Sequence, residues 1–475
     1  MTRKTAPLPL VSAVAVLSLS ACAVGPNYRT PAAPTQTAFK EADGWTPATP
    51  MDAIDRGAWW SAYHDPVLDD LEQRLAASNQ TLAGQLQAYK QARDALAQTE
   101  AGFFPALSAS ASGQKTGGQG ASSTGTSSTG SNFTGSVPTR YSAAVDASWT
   151  VDLWGKIRRQ IEQGRATAQA SAADLANVRL SLQATLASDY FQLRATDAQK
   201  DLLAETVAND KKALTLTENQ YRSGVAARGD VITARTQLET AEASLIDVDT
   251  ARAQLEHAIA VLVGQTPQGF TLAPAPMPQT TPVAPLNLAA TLLQRRPDVA
   301  AAERAAAAAS AGIGVAKAAY FPTVTLSASD TTAAARTRDL FRSATSSWAY
   351  GASAAENIFD FGAREANVRS AKSVYQQRVA DYRQAVLTAF QQAEDQIAAL
   401  RTLEAEAGYR TQAVTDARAA EAIALNQYRS GTVNYSVVIQ AQNTSLSAAQ
   451  SALSTQRARL VASVSLIEAL GGGWR

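Results

Sequence analysis

The sequence predicts a mainly α-helical protein built from two tandem copies of one unit, each of which also carries a β-hairpin. Three observations lead to this prediction. The six residues Asn-Gln-Tyr-Arg-Ser-Gly occur at 219–224 and again at 426–431, an offset of 207 positions. Long Ala- and Gln-rich stretches without Pro repeat their apolar residues with a helical period. Four short stretches instead alternate apolar and polar residues, as β-strands do.

The repeat extends well beyond this six-residue identity. Other landmarks recur in the same order: Ala251-Arg252 with Ala458-Arg459, Gly264 with Gly471, Phe104-Pro105 with Phe321-Pro322, and Asp152-Leu153 with Asp360-Phe361. Because chance does not preserve the order of several landmarks, we interpret the chain as an internal duplication.

Composition excludes several classes of function. The chain of 475 residues has 42 basic and 41 acidic residues and no basic run, so we expect no nucleic-acid partner. Two His and one Cys leave little material for a metal site or a thiol nucleophile. We therefore expect no enzyme, no cofactor and no bound metal. Among the alternatives, a periplasmic hydrolase lacks any nucleophile and base set.

The N-terminus predicts export and lipidation. Arg3 and Lys4 precede a short apolar stretch, Val11 to Leu19, that is too short to span a bilayer. It ends at Leu19-Ser20-Ala21-Cys22, which resembles the bacterial lipobox and contains the only Cys of the chain. Residues 1–21 are therefore predicted to be a lipoprotein signal peptide and Cys22 the lipid attachment site. Ala23 after it favours the outer membrane. The alternative is a plain secretory signal that contains a buried Cys.

Each copy begins with a helix and continues with a hairpin. The predicted helices cover 67–102 and 288–318, and each ends before a Phe-Pro pair, because Pro disfavours helix in the residue before it. The predicted hairpins cover 105–153 and 322–359, with one apolar and one polar face on each strand. The Gly-, Ser- and Thr-rich segment 113–136 is a predicted solvated loop, and 330–346 is its counterpart.

A very long helix and a shorter return helix follow each hairpin. No Pro occurs from Lys156 to Gln220 or from Arg364 to Gln427. About 64 residues at about 1.5 Å each give a helix on the order of 95 Å long. Both carry coiled-coil-like apolar seams and end at an Arg-Ser-Gly turn, where Gly suits a left-handed cap. The predicted return helices cover 230–263 and 436–470.

The four strands predict an oligomeric barrel. A four-stranded sheet cannot sit alone in lipid, because its edges leave backbone groups unpaired. Closed membrane barrels have about eight strands or more, and three chains would supply twelve, so we expect a homotrimer. A soluble β-sandwich is the alternative, but it needs a second apolar sheet, and the sequence has no further strands to build one.

These features resemble one known family. The landmarks are Cys22-Ala23-Val24-Gly25-Pro26-Asn27-Tyr28, Trp59-Trp60, Asp152-Leu153-Trp154-Gly155-Lys156, Tyr221-Arg222-Ser223-Gly224, Arg295-Arg296-Pro297-Asp298-Val299, Tyr320-Phe321-Pro322, Phe359-Asp360-Phe361-Gly362 and Tyr428-Arg429-Ser430-Gly431. As an ordered set over the mature chain, they resemble the TolC-like outer-membrane efflux proteins, in their lipidated OprM-type branch.

The resemblance implies a homotrimer with a twelve-stranded transmembrane β-barrel and an α-helical periplasmic tunnel. It implies docking to a periplasmic adaptor and a proton-driven inner-membrane pump, with small molecules as cargo. The predicted organisation is a lipidated N-terminal segment and belt (22–66), a first repeat (67–264), a Pro-rich linker in the belt (265–287), a second repeat (288–471) and a tail (472–475). An outer-membrane duct for type I protein secretion and a poreless periplasmic scaffold are the alternatives.

The resemblance places adaptor contacts at the two turns. Ser223, Gly224 and Val225 form the first turn, and Ser430, Gly431 and Thr432 form the second. Their far periplasmic position in the family implies contact with the adaptor. The alternative is that the two Gly residues only cap helices, and both interpretations can hold together.

The resemblance also places a gate near these turns, in which Tyr and Arg side chains support acidic rings. The candidate residues are Asp230, Tyr221, Arg222, Tyr428, Arg429, Val437 and Gln440. Three copies of Asp230 around an axis would favour cations. Val437 and Gln440 stand where relatives carry acidic residues, so the constriction is acidic or partly apolar and amide-lined. The alternative for Asp230 is a first-turn carboxylate that stabilises the return helix.

One further Arg is a candidate near the gate, and two His and two Trp residues are expected to be structural. Arg228 joins Arg222 and Arg429 as a candidate ion-pair partner of Asp230. His64 and His257 have no carboxylate or Cys pattern around them, and Trp59 and Trp60 are expected to pack the belt.

Overall fold

The computed structural model describes residues 23–33, 57–115, 139–282 and 296–472. They fall into two compact units, each built from separate stretches of chain. Unit 1 contains residues 23–31, 90–115, 139–169 and 304–379. Unit 2 contains residues 32–33, 57–89, 170–282, 296–303 and 380–472. Cys22, the signal segment and most of the predicted loop 113–136 lie outside the described residues.

The order of elements repeats. The first copy contains α1 (Pro66–Ser78), α2 (Gln80–Ala101), β1 (Ala106–Lys115), β2 (Thr139–Val151), α3 (Lys156–Arg222) and α4 (Arg228–Leu262). The second copy contains α5 (Pro297–Ala318), β3 (Thr323–Ala334), β4 (Ser346–Ala355), α6 (Ala363–Arg429) and α7 (Tyr435–Ala469). Helices α3 and α6 have 67 residues each, and α4 and α7 have 35 each. The predicted fold class, mainly helical with tandem repeats and hairpins, is confirmed.

The predicted first helix, 67–102, is interrupted at Asn79, and the prediction of one continuous helix is wrong. Asn79 has extended backbone angles, and its Oδ1 accepts from the backbone N–H of Leu82 at 2.8 Å. Its Nδ2 donates to the carbonyl of Leu262 at 2.8 Å. Asn79 therefore ends α1, caps α2 and ties both to the end of α4.

The four strands form one antiparallel sheet in the order β1-β2-β3-β4. Leu107, Ala147, Ala328 and Tyr350 lie opposite one another across the sheet, and the next row is Ser108, Asp146, Ser329 and Ala349. The predicted alternation therefore continues across all strands and gives an apolar face and a polar face. Asp330 departs from this pattern, because it lies in the same row as Ala109 and Val145 on the apolar face.

The predicted loop 330–346 is wrong in its first part. Strand β3 continues to Ala334, because residues 330–332 pair with residues 346–348 of β4. The hydroxyl of Ser346 also donates to Asp330 Oδ1 at 2.9 Å. The connection shortens to 335–345 and contains two short 3-10 turns. Strand β1 likewise continues through Gly113 to Lys115.

The main core of unit 2 packs the chain before α1 against the long helices. Trp59, Trp60 and Tyr63 are buried with side chains from α1, α3, α4 and α7. The Tyr63 hydroxyl shares a 2.6 Å hydrogen bond with Ser463. None of the helices within the four described ranges is both long and apolar enough to cross a membrane.

The segment after α4 is held in unit 2 by a buried ion network. Arg194 pairs with Asp197 at 3.0 Å, and Arg252 pairs with the same carboxylate at 2.7 Å. Arg194 and Arg252 also donate to the carbonyls of Ala273 and Leu272. Charge-assisted hydrogen bonds of this kind fix the beginning of the Pro-rich segment against α3 and α4.

Candidate functional site

The turn between α3 and α4 is a Schellman motif. The N–H of Gly224 donates to the carbonyl of Tyr221 at 3.0 Å, and the N–H of Val225 donates to that of Gln220 at 2.8 Å. Gly224 has φ +78°, the left-handed conformation that this motif requires. The sequence Arg-Ser-Gly therefore ends the helix by satisfying carbonyls that would otherwise lack partners.

The turn between α6 and α7 has the same geometry. The N–H groups of Gly431 and Thr432 donate to the carbonyls of Tyr428 and Gln427, each at 3.0 Å, and Gly431 has φ +76°. In both turns a Ser hydroxyl, that of Ser223 or Ser430, donates to carbonyls of the preceding turn. All six predicted tip residues are exposed. The capping interpretation is thus supported, and the tips also offer free surface to a partner.

A buried apolar cluster lies beside the two turns. Helices α3 and α4 form one helical hairpin that ends at the first turn, and α6 and α7 form a second that ends at the other. The buried members of the cluster come from all four helices: Ala213 of α3, Ala234 of α4, Tyr428 of α6, and Tyr435 and Val438 of α7. Leu214, Leu216, Leu425, Val433 and Ile439 pack against it. We call this set the tip cluster. It joins the hairpin of the first copy to the hairpin of the second.

Tyr428 links this cluster to the predicted gate residue Asp230. Its ring lies 5.3 Å from that of Tyr435, and its hydroxyl donates to Thr217 Oγ1 at 3.3 Å. Burial raises the pKa of Tyr428, and the negative charge of Asp230 raises it further, while the hydrogen bond to Thr217 opposes both. Of the predicted gate residues, the structure therefore brings Tyr428 and Asp230 close enough to interact electrostatically.

Within the described residues of the single chain, Asp230 forms none of the ion pairs suggested for it. Arg222 lies 3.9 Å from Glu218, and no described ion pair joins Asp230 to Arg222, Arg228 or Arg429. Asp230 Oδ2 instead accepts from the backbone N–H of Ala227 at 3.4 Å, in the first turn of α4. The helix-capping interpretation of Asp230 is therefore supported, and its place in a pore-lining ring stays a prediction.

The remaining gate candidates are exposed. Tyr221 and Val437 are 46% and 42% exposed, and Arg429 and Gln440 are also exposed. Val437 stands 207 positions after Asp230, so an apolar side chain replaces the carboxylate at this place in the second copy. A mixed lining for the constriction remains the prediction.

One buried acid near the tips was not singled out from the sequence. Asp210 of α3 is 1% exposed, and its Oδ2 has no hydrogen-bond partner among the described residues. Burial, and next the charge of Glu421, raises its pKa to about 6. The sequence feature that indicates its burial is helical spacing, because Asp210 precedes the buried Ala213 and Thr217 by three and seven positions.

The segment that directly follows Cys22 is fixed within unit 1. The N–H of Val24 donates to the carbonyl of Trp154 at 3.0 Å, and its carbonyl accepts from Arg159 Nε at 3.3 Å. Arg159 also donates to Asn27 Oδ1 at 2.9 Å. Gly25 has φ +118°, and a Cβ there would lie 2.5 Å from Gly314 Cα. Only Gly permits this close approach of two backbones.

The two Trp and two His residues that the sequence analysis interprets as structural are packing or surface residues. Trp59 and Trp60 are buried, with ring centroids 5.8 Å apart, while His64 and His257 are exposed. Within the described parts of the chain, no group of three or more His, Cys, Asp or Glu residues is placed to hold a metal ion.

Comparison with known proteins gives a consistent result. A family model described as outer membrane efflux protein matches residues 71–265 and 288–472. The probable efflux pump outer membrane protein TtgC of Pseudomonas putida is 30% identical over 470 residues, covering 97% of this chain and 95% of TtgC. The pyoverdine export outer membrane protein OpmQ of Pseudomonas aeruginosa is 30% identical over 471 residues, covering 98% and 97%.

The solved structures to which the chain is similar are also outer-membrane channels. The outer-membrane channel OprN superposes with a TM-score of 0.84 at 30% identity, over 95% of this chain and 100% of OprN. The open state of the MtrE outer membrane channel of Neisseria gonorrhoeae gives a TM-score of 0.79 at 26% identity, over 95% and 98%.

Proposed function

The chain belongs to the outer membrane efflux protein family, and from this premise we propose that three copies of it assemble into one channel. The predicted resemblance to this family is confirmed, while its lipidated branch stays a prediction. Proteins of this family are outer-membrane channel components of Gram-negative bacteria, not enzymes, and they work with adaptors and inner-membrane pumps. The proposal concerns the trimer, the lipid anchor, the pump partner and the gate.

The four-stranded sheet carries the proposal of a trimer. Strand β1 pairs only with β2 and β4 only with β3, so neither edge of the sheet has a partner among the described residues. Unpaired edges are costly in hydrocarbon, which has no water to replace the missing hydrogen bonds. If β4 of each copy pairs with β1 of the next, three copies close a barrel of twelve strands, which is within the range of known outer-membrane barrels.

The two faces of the sheet suit the two sides of such a barrel. Trp149, Trp348 and Tyr350 all lie on the apolar face, and the last two are 72% and 79% exposed in the single chain. Their rings stack at 5.7 Å. Aromatic residues of this kind form girdles at the lipid interface. The polar face, with Ser and Thr side chains in every strand, would line water.

A lipid at Cys22 would be held in place by the segment that follows it. Val24 and Asn27 are bound by Trp154 and Arg159, and Gly25 lies against Gly314. Trp154 closely follows the end of β2, and its indole donates to the carbonyl of Pro322, just before β3. These contacts of residues 24–27 support our proposal that Cys22 is lipidated close to the ends of these strands, where the apolar face begins.

We propose small molecules as cargo and a proton-driven pump as the energy source. Relatives are described as exporting toluene, solvents, antibiotics and pyoverdine, all of which are small molecules. The exposed tips, Ser223 to Val225 and Ser430 to Thr432, would contact the adaptor. The gate would lie beside them, where Asp230 and Val437 differ between the copies.

Single-channel recording in a planar bilayer tests this function. We expect low conductance from the intact protein and higher conductance from Asp230→Asn, because an acidic ring and its helix cap are both weakened. Restored tolerance to toluene or antibiotics in a strain that lacks its own outer-membrane channel would support small-molecule cargo. If neither protein conducts, and neither restores tolerance, the channel proposal is wrong.

Cross-linking tests the adaptor contact. Cys22 is the only native Cys, so a thiol placed at Val225→Cys or Thr432→Cys on a Cys22→Ser background is unique. We expect both to cross-link to the adaptor. Val261→Cys, 63% exposed on α4 and distant in sequence from both turns, is the matched control. Equal cross-linking at all three positions would contradict docking at the tips.

A further inference from the structure

We propose that Asp210 is a proton-binding site that fastens α3 to α7 beside the tip cluster, and that loss of its proton loosens the tips. This inference rests on the proposed gate. It assigns a regulatory role to a residue that neither caps a helix nor lies at a turn.

Asp210 shares one face of α3 with residues that hold the tip cluster together. Ala213 and Thr217 follow it by three and seven positions, so all three lie on the same side of the helix. They are 1%, 5% and 0% exposed. Ala213 belongs to the tip cluster, and Thr217 accepts the hydrogen bond from Tyr428. A change in packing at Asp210 therefore reaches the tips through a single helix face.

A small polar cavity adjoins Asp210. Its volume is about 120 Å³, enough for several water molecules. Charged and polar groups line it from three helices: Glu205, Asn209 and Asp210 of α3, Arg418 and Glu421 of α6, and Gln442 and Ser445 of α7. The cavity therefore joins the long helices of both copies to the return helix of the second.

Two buried acceptors line this cavity without a donor. Asp210 Oδ2 and Gln442 Oε1 have no hydrogen-bond partner among the described residues. An ionised carboxylate can only accept, so the two oxygens cannot bond to each other while Asp210 is ionised. A proton on Asp210 supplies a donor that Gln442 Oε1 can accept. Protonation thus allows a direct hydrogen bond between α3 and α7 that the ionised form cannot make.

The charges around Asp210 favour the protonated form. Burial, and next the charge of Glu421 on α6, raises the pKa of Asp210 to about 6. Glu205 adds another carboxylate to the lining, while Arg418 is the one cation that lines the cavity. From α7, the buried Tyr435 hydroxyl is also without a described partner, and burial and the charge of Asp210 both raise the pKa of Tyr435.

The direction of the effect follows from this raised pKa. When the helices separate, water restores Asp210 to its ordinary value of 3.8, so the packed state binds the proton more tightly than the separated state. The packing of α3 against α7 therefore has its full stability at pH below 3.8, and this stability is progressively lost as the pH rises through about 6. Acidic pH therefore stabilises the helix packing beside the tip cluster, and neutral pH destabilises it.

The test is the open probability of the channel, measured in planar bilayers across a range of pH for Asp210→Asn and for the unmodified protein. Asn has nearly the same shape as a protonated Asp and keeps a donor at all pH values. We expect the open probability of the unmodified channel to rise on the order of tenfold between about pH 5 and about pH 7. Asp210→Asn should stay at the low value throughout. Asp201→Asn, an exposed acid on the same helix, is the matched control and should follow the unmodified channel.

Difference infrared spectroscopy provides a readout that does not depend on conduction. The carbonyl band of a protonated carboxylic acid should appear below a midpoint near pH 6 and be absent from Asp210→Asn. If this band is unchanged by the substitution, or if Asp210→Asn retains the pH response of the channel, the inference is wrong. Absence of conductance in every protein, with the infrared titration intact, would instead overturn the channel proposal.

Discussion

The two hairpin tips share one backbone turn but differ in how their side chains are buried. Gly224 and Gly431 have φ values within 2° of each other, at +78° and +76°, and the same pair of backbone hydrogen bonds. Tyr221 is nevertheless 46% exposed, while its counterpart Tyr428 is 5% exposed. Backbone geometry is thus retained between the copies, whereas the surfaces beside the turns have diverged.

The return helices begin with the same contrast. Tyr435 is buried in the tip cluster, but the residue 207 positions earlier is the exposed Arg228. Asp230 caps α4, whereas Val437 at the corresponding place in α7 cannot accept a hydrogen bond. The second copy therefore supplies most of the buried apolar surface of the tip cluster, and the first supplies the carboxylate in the first turn of its return helix. The gate that we propose beside the turns would draw on both contributions.

Replacing Tyr435 tests the contrast most strongly. Tyr435→Ala removes a fully buried aromatic side chain, and we expect a loss of about 3 kcal/mol or more in stability. Arg228→Ala, at the corresponding position of the first copy, should change stability by less than about 0.5 kcal/mol. Thermal unfolding in detergent measures both. Equal losses would mean that the tips are energetically alike.

Replacing the turn glycines should, in contrast, affect the two tips equally. A Cβ at Gly224 or Gly431 meets no atom within 4 Å, so the cost is only that of the left-handed backbone. We expect each Gly→Ala variant to lose about 1–2 kcal/mol. Chemical unfolding of both variants checks this. A large difference between them would show that one turn carries a further constraint.

The hydrogen bond from Tyr428 to Thr217 predicts a smaller loss. Tyr428→Phe keeps the ring and removes the hydroxyl, at a cost of about 1 kcal/mol. Tyr221→Phe, at the exposed counterpart, should be neutral. A double-mutant cycle with Thr217→Val isolates the bond, since the second substitution should cost little once the first is present. Additive effects would show that the hydroxyls do not stabilise each other.

The charge difference at the start of the return helices predicts the smallest change in stability. Asp230→Ala removes the acceptor for Ala227 and a favourable first-turn charge, at about 0.5 kcal/mol. Val437→Asp places a carboxylate in the first turn of α7 and should be neutral or slightly stabilising. Unfolding at low and high salt measures both, because salt screens the charge effect. A stability loss from Val437→Asp would contradict the exposed position of this side chain.

The sequence predicts the regular parts of the fold because each is a local pattern. Alternation along Leu107 to Ser112 gives a strand, and the absence of Pro after Lys156 gives the long helix. It does not predict the interruption at Asn79, because that depends on the distant carbonyl of Leu262. Strand β3 passes through Asp330, a residue with low strand preference, because pairing with β4 outweighs that preference.

The candidate site is predictable only in part, for the same reason. Gly224 and Gly431 reveal the turns by themselves, since no other residue adopts φ near +77° as readily. Which tyrosine is buried depends on contacts among four helices, so Tyr221 and Tyr428 look alike in sequence. In the single chain Arg222 lies near Glu218 and Asp230 accepts from the backbone N–H of Ala227, and neither contact is apparent from the sequence. Asp210 becomes apparent only when its unpartnered oxygen and the adjoining cavity are seen together.

We propose that the tip cluster, whose larger buried side chains come from the second copy, holds the channel closed, and single-channel conductance of Tyr435→Ala beside Arg228→Ala tests this. We expect Tyr435→Ala to open the channel, with conductance well above that of the unmodified protein, while the conductance of Arg228→Ala stays close to that of the unmodified protein. If both variants open alike, or if Arg228→Ala opens and Tyr435→Ala does not, the difference between the two tips is not the basis of the gate.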